Sequence, residues 1–145
     1  MELTSWISLA LMRIGTGMAT AFDRFFADLG VNQAQFRMLL AVWEHGGQEG
    51  IAPSQLAHHL LVERGTVSVM SQRMVKLGWL QRLSGPDRRS HRLVLTAAGG
   101  EVLERVAERA TRLGSDTFAN IGEEELRQTK RLLQLIEERL HEAKP

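Results

Sequence analysis

Two helical periodicities share residues 51–80, IAPSQLAHHLLVERGTVSVMSQRMVKLGWL, with only a few residues between them. Pro53 suits a first helical turn, where the N–H it lacks has no partner to lose, and Leu56, Ala57 and Leu60 give that helix its buried side. The turn LLVE leads into a second pattern. There Val67, Met70, Met74, Val75 and Leu77 alternate with Arg64, Thr66, Ser68, Gln72 and Arg73 until Gly78 ends the helix. Two short helices so joined are a helix-turn-helix in outline. The polar side of the second carries groups that bond base edges or phosphates: arginine forks for guanine, glutamine for adenine, serine and threonine for either. Ser54 and Gln55, in the first turn of the earlier helix, are candidates for contact with a nucleic-acid backbone. An ordinary solvated face is the competing reading of the same residues.

The segment after the second helix weighs against a merely solvated face. WLQRL and HRLVL read as two short strands, with Leu93 and Leu95 on one side and Arg92 on the other. A seven-residue loop, Ser84 to Ser90, joins them. A helix-turn-helix succeeded at once by a hairpin is the order of a winged helix, whose hairpin tip reaches the groove beside the one the helix reads. The fold class is therefore mainly α (α+β). The wing carries Asp87, Arg88, Arg89 and His91, and Gly85-Pro86 fixes a turn that projects its tip. A narrow A·T minor groove concentrates negative potential that favours an inserted arginine. Asp87 either holds the Arg89 guanidinium fork in place or caps the turn, and the two roles are compatible.

Charge is distributed accordingly. The chain's net charge is only +1, yet residues 62–92 carry seven bases against two acids, +5, which leaves −4 for the remainder. A near-neutral protein with one basic segment has a docking place for a polyanion. The 145 residues form one domain of ordinary globular composition, 43% hydrophobic and 24% charged. The chain contains no cysteine, so a disulfide framework, a thiolate zinc site and a thiol redox sensor are all closed to it. A reducing, cytoplasmic location fits. MELTSWISLALMRIG is apolar, but Glu2 stands where a signal peptide needs basic residues, and Arg13, Asp23 and Arg24 come after, so neither a signal nor a membrane span is expected. No Ser-His-Asp pattern, phosphate loop or paired catalytic carboxylate emerges, and neither an enzyme nor a cofactor is expected.

The remaining periodicities are helical. Ile7, Leu11, Ile14, Met18, Phe22, Phe25 and Leu29 mark a helix over about 3–29, in which Gly15 and Gly17 either permit close approach or mark a bend. NQAQ opens the next helix, with Asn32 and Gln35 as a capping box and Phe36, Leu39, Leu40 and Trp43 as its buried face, and HGG stops it at 45–47. Thr96 caps a long helix through Val102, Leu103 and Val106 toward Phe118. After NIG, Glu123 to Glu125 sit where a helix dipole favours acids, and Leu126, Leu133 and Leu140 recur every seven residues with Ile136 between them. That stripe needs either helix one or a second chain to cover it.

These residues resemble the MarR type of bacterial and archaeal winged-helix transcription regulators over most of the chain. The likeness lies in QFRMLLAVWEH, in SQLAHHLLVERGTVSVMSQRMVKLGWLQR and most specifically in DRRSHRLVLTAAGGEVL, where Asp87 and Arg89 match the family's Asp-x-Arg wing pair and Leu95, Thr96 and Gly99 its strand end. Glu63 in place of a capping Ser or Thr, Gly65 early in the recognition helix, and Val69 in place of a basic residue depart from the pattern. The resemblance implies a single domain over 1–145, with dimerisation helices in 1–30 and 100–145 and a winged helix-turn-helix in 31–99. It further implies a homodimer on a near-palindromic operator in double-stranded DNA, acting as a repressor released by a small aromatic effector. Arg13, Met18, Phe22 and Trp43 are candidates to line the effector pocket, or else plain core and surface. A winged-helix module that recruits protein, or a metal-responsive regulator, are the rival readings. For the latter, Glu44-His45 and His58-His59 would need a ligand from another segment, because adjacent helical residues diverge by about 100°.

Overall fold

The structure, a computed structural model, describes every residue except Pro86, Arg88, Arg89, Lys144 and Pro145. Among the described residues, six α-helices and one hairpin succeed one another as α1 (Leu3–Phe26), α2 (Gln33–Gly46), α3 (Pro53–Leu60), α4 (Arg64–Lys76), β1 (Leu80–Ser84), β2 (His91–Leu95), α5 (Ala97–Thr117) and α6 (Glu123–Glu142). This mainly helical winged helix agrees with the order read from the sequence. The first helix ends three residues early. Ala27–Leu29 tighten into a 3-10 turn that Gly30 closes at φ 68°, a left-handed value glycine adopts without strain. At the start of α2 the expected capping box is present: Gln35 N–H donates to Asn32 Oδ1 (2.8 Å) and Asn32 N–H to Gln35 Oε1 (3.1 Å).

The core forms where α2, α3, α4 and the hairpin meet, around Met38, Leu39, Val42, Ile51, Leu56, Val67, Met74, Leu80 and Leu93, all nearly or fully buried. Phe26 joins it from α1, edge-on to both Phe22 and Phe36. The face of α2 differs from the expected one. Met38, Leu39, Ala41, Val42 and Gly46 point inward, Phe36 and Leu40 are half-buried, and Trp43 is 62% exposed. QAQFRMLLAVW is apolar on most of its circumference, so periodicity alone does not choose the inward side; α3, α5 and β2 do, by packing on it from different directions. Leu77, expected inside α4, is instead its half-exposed C-cap.

The wing is tied to the helix-turn-helix by backbone as well as by packing. Ile51 and Leu93 exchange two hydrogen bonds of 3.0 and 2.9 Å, which adds a one-residue third strand beside β2. Gly50 makes this possible. Its φ is +84°, and a Cβ there would lie 2.9 Å from Arg92 Cβ and 3.1 Å from the Leu93 carbonyl oxygen. At the other end of the hairpin, Thr96 hydroxyl donates to the Gly78 carbonyl (2.5 Å) and accepts from Gly99 N–H (3.0 Å), capping α5 as expected.

The helices at the two ends of the chain are built differently from the centre. Of the α1 stripe, Ile14 and Phe25 are exposed and the rest only half-buried, with Ala10 and Phe26 the helix's buried residues. A Cβ on Gly15 or Gly17 would meet nothing within 4 Å, so neither glycine serves a close approach within this chain. The α6 helix buries no residue at all. Arg109 of α5 donates to the Phe25 carbonyl (3.1 Å) and pairs with Asp28, whose carboxyl it holds below the usual range, fixing the 3-10 turn against α5. Among the described residues no helix is long and apolar enough to cross a membrane.

Candidate nucleic-acid interface

The geometry of α4 is set by its anchors. Leu61 takes a left-handed conformation (φ 54°), and its N–H and that of Val62 return to carbonyls of α3, so the turn between the helices is closed by backbone hydrogen bonds. Val67, Ser71 and Met74, spaced by four and three, then plant one side of α4 in the core. Gly65, Thr66, Ser68, Val69, Gln72, Arg73 and Lys76 are exposed around the rest of the helix, and Arg64 is exposed at its first turn. Of the five residues expected there from sequence, Thr66, Ser68, Gln72 and Arg73 lie on the outward side, and Arg64, three residues before Val67, is exposed at the first turn nearer the buried row. Lys76, four residues after Gln72, belongs to the outward side as well. Helical spacing alone was enough to find Lys76, whereas Val69, 70% exposed, was concealed by its apolar side chain. Glu63, the N-cap, makes no side-chain capping bond, as its departure from the usual Ser or Thr foreshadows.

Ser54 and Gln55 occupy the first turn of α3, behind Pro53 and an Ala52 N-cap that offers no side-chain acceptor. The N–H groups of this turn are thus left for another acceptor, and such a helix end favours anions.

The hairpin pairs Leu80 with Leu95 through to Ser84 with His91. Its tip is closed by Gly85 N–H to the Ser90 carbonyl (3.0 Å), and the Asp87 carbonyl accepts from both the N–H and the hydroxyl of Ser90, each at 3.0 Å. Asp87 is thus part of the turn through its backbone. Arg88 and Arg89, the expected wing contacts, lie outside the described residues. His91 is half-buried at the base of the tip and Arg82 exposed beside it. Arg92 has a structural use instead: Nη1 donates to the Gly50 carbonyl (3.3 Å), which fastens the wing to the α2–α3 loop.

The histidines expected as metal-ligand candidates do gain partners from other segments. His45 of α2 stacks on His59 of α3 at 3.7 Å between ring centroids and 2° between planes, and His58 stacks on His141 of α6 at 3.8 Å and 16°. Parallel stacked rings turn their nitrogen lone pairs side by side rather than toward one point, which is not a coordination geometry. Among the described residues no group of three or more His, Asp or Glu side chains is placed to hold a metal ion. Burial lowers the pKa of His59, helped by His45, His58 and His141 and opposed by Glu137.

The four effector-pocket candidates are dispersed. Met18 and Phe22 line a cavity of about 250 Å³ with Gly15, Ala19, Gln33, Phe36 and Arg37, between α1 and α2. Trp43 borders two others: one of about 340 Å³ with Leu40, Gly100, Leu103, Glu104 and Ala107, and one of about 450 Å³ with Val42, Gly47, Gln48, Val94 and Leu95. Arg13 is exposed on α1 and lines none of these.

Comparison with known proteins places this geometry. Residues 29–90, from the 3-10 turn to the wing tip, match a family model described as the MarR family. The chain is 28% identical over 131 residues to the HTH-type transcriptional regulator PecS of Dickeya dadantii (strain 3937), covering 90% of this chain and 79% of that protein. It is 27% identical over 144 residues to the organic hydroperoxide resistance transcriptional regulator of Bacillus subtilis (strain 168), covering 98% and 94%. Two solved structures share the fold at lower identity. CouR from Rhodococcus jostii RHA1 bound to p-coumaroyl-CoA has a TM-score of 0.82 at 20% identity over 94% of each chain. MepR of S. aureus in its complex with DNA has a TM-score of 0.80 at 21% identity over 92% of this chain and 96% of that one. The family is one of regulators rather than enzymes, and its model covers the whole helix-turn-helix described above. Residues 29–90, which hold the helix-turn-helix, thus match the MarR family, and over most of its length the chain is similar to transcription regulators.

Proposed function

We propose that this regulator is a homodimer that binds a near-palindromic operator in duplex DNA, acts in the cytoplasm as a repressor, and is released by a small aromatic effector. The observation that carries the reading is the outward surface of α4, where Thr66, Ser68, Gln72, Arg73 and Lys76 stand free of the core, with Arg64 exposed at the first turn, on a helix anchored by its opposite side. A helix so presented fits the major groove, with Arg and Gln reading base edges and Ser54 and Gln55 meeting phosphate. MepR, of like fold, was solved with DNA. In this reading Arg88 and Arg89 extend the contact into the neighbouring groove, with His91 at the wing's base and Asp87 orienting Arg89.

The dimer is argued from α6, a twenty-residue amphipathic helix that buries nothing, and from Leu3, Trp6, Leu9 and Met12, all more than half exposed on α1. Apolar area of this extent on both terminal helices calls for a second copy of the chain. Two recognition helices related by a twofold axis then meet major-groove segments about one helical turn apart.

For the effector, the α1–α2 cavity offers Phe22 and Phe36 for an aromatic ring and Arg37 for an acidic group. CouR, also of like fold, was solved with p-coumaroyl-CoA, an aromatic acyl group. A thiol-based response to hydroperoxide is closed to this chain, which contains no cysteine.

Selection of bound fragments from random duplexes tests the whole reading. An enriched inverted repeat bound by two chains is the expected result; failure to enrich any duplex would refute it. Aromatic carboxylic acids should release the selected duplex, and Arg37→Ala should blunt that release.

A further inference from the structure

We infer that Val69 reads a thymine, through contact between its side chain and the C5-methyl group at the major-groove edge. The inference rests on the DNA-binding reading above and deepens it by assigning one base to one residue. At about 100° per residue, Val69 points within about 15° of the direction opposite the buried row Val67, Ser71 and Met74, so it stands at the crest of the outward surface. It is 70% exposed, the only apolar side chain among the described residues of that surface, and its neighbours one turn away are Gly65, Thr66, Gln72 and Arg73.

Gly65 gives the crest its shape. Helical side chains lean toward the N-terminus, so Val69 leans over the position of Gly65. A Cβ at Gly65 would meet nothing within 4 Å, which leaves a shallow notch beside the valine methyls with no side chain in it. One turn beyond the valine, on the side away from the notch, stand Gln72, a partner for adenine, and Arg73, a partner for guanine or phosphate. Among the groups that the major groove displays, the thymine methyl is the apolar one, and it alone gains by replacing water against valine. Arg73 and Lys76 beside the crest, with Arg64 at the start of the helix, supply the positive charge that brings this apolar point against a polyanion rather than against a protein.

The test uses the full-length protein and a duplex selected by it from a random pool. Each thymine of the selected half-site is replaced in turn, symmetrically, by deoxyuridine, which differs only in lacking the methyl. At one thymine the replacement should weaken the wild type about fourfold per half-site, the effect of one buried methyl group, or about fifteenfold for the symmetric pair. Val69→Ala is placed on an exposed helix position where alanine is a good helix former, so the fold is kept. That variant should bind the thymine and uracil duplexes alike. If no deoxyuridine replacement weakens the wild type, or if the loss is the same for Val69→Ala, the assignment is overturned while DNA binding stands. If no duplex is enriched, the DNA-binding reading falls and this assignment with it.

Discussion

The imidazole of His45, at the end of α2, lies flat on that of His59, at the end of α3, 3.7 Å away and 2° from parallel. Partial burial, together with the nearby His45, His58 and His141, lowers the His59 pKa below its ordinary 6.5, against the pull of Glu137. A lowered folded-state pKa means that the unfolded chain takes up the proton first as pH falls. The stabilisation is therefore complete above about pH 6.5 and is lost as pH falls through the folded-state value. Denaturant midpoints measured between pH 8 and pH 5 should fall with pH, and His59→Gln should flatten the profile. An unchanged profile in that variant would remove His59 as the cause.

Gly99 and Gly100 make a controlled pair in the first turns of α5. A Cβ on Gly99 would lie 2.0 Å from the Trp79 carbonyl oxygen, which also accepts Thr96 N–H at 3.1 Å, so backbone must move to admit it. A Cβ on Gly100 would meet nothing within 4 Å. Gly99→Ala should cost about 3 kcal/mol, at the upper end of overpacking penalties. Gly100→Ala should be neutral or stabilise by up to about 1 kcal/mol, because alanine is the better helix former. Thermal or denaturant unfolding of the two variants decides the matter.

The proposed dimer places Leu133 and Leu140 of α6, half-exposed in the single chain, against a partner. Substituting both by Glu in each subunit would expose four leucine sites' worth of interface to charge. At about 1.5 kcal/mol per leucine the loss is about 6 kcal/mol, roughly four orders of magnitude in the dissociation constant. Sedimentation should show a folded monomer with helical content near that of the wild type. A variant that remains a dimer would show that α6 is not the interface.

Arg73 of α4 and Arg89 of the wing should separate two kinds of contact. Arg73→Ala should weaken binding to the selected duplex by about 1–3 kcal/mol, relaxing specificity at one position if it meets a base and lowering affinity uniformly if it meets phosphate. Arg89→Ala should weaken binding most where the flank is A·T-rich and leave the dimer intact. Loss of the dimer with DNA affinity retained would contradict the placement of the wing.

The helix-turn-helix was legible because each of its signals is local. Pro53 at a helix start, the Asn32–Gln35 box and the Thr96 cap act within four residues, and the row Val67, Met74 declares the inward side of a helix whose other side is polar. The side of α2 was not legible, since its apolar residues nearly surround it and tertiary partners choose among them. Trp43 consequently lies outside the core, and the effector candidates do not converge: Met18 and Phe22 share one cavity, Trp43 borders others and Arg13 lines none of these. The Ile51–Leu93 bridge and the two histidine stacks join residues far apart in sequence, which no periodicity can announce. Gly99 shows the reverse: its family position was visible in the sequence, but its reason, the Trp79 carbonyl pressed against it, required the structure.

DNA binding through the α4 surface and the basic wing is tested most directly by the salt dependence of affinity for the selected duplex. If these elements hold DNA through phosphates, the logarithm of the association constant should fall linearly with the logarithm of salt concentration. Each phosphate contact contributes a slope of about −0.9, and Arg73→Ala or Lys76→Ala should reduce the slope by about 0.9 where that side chain is one of them. Affinity that does not change with salt would contradict it.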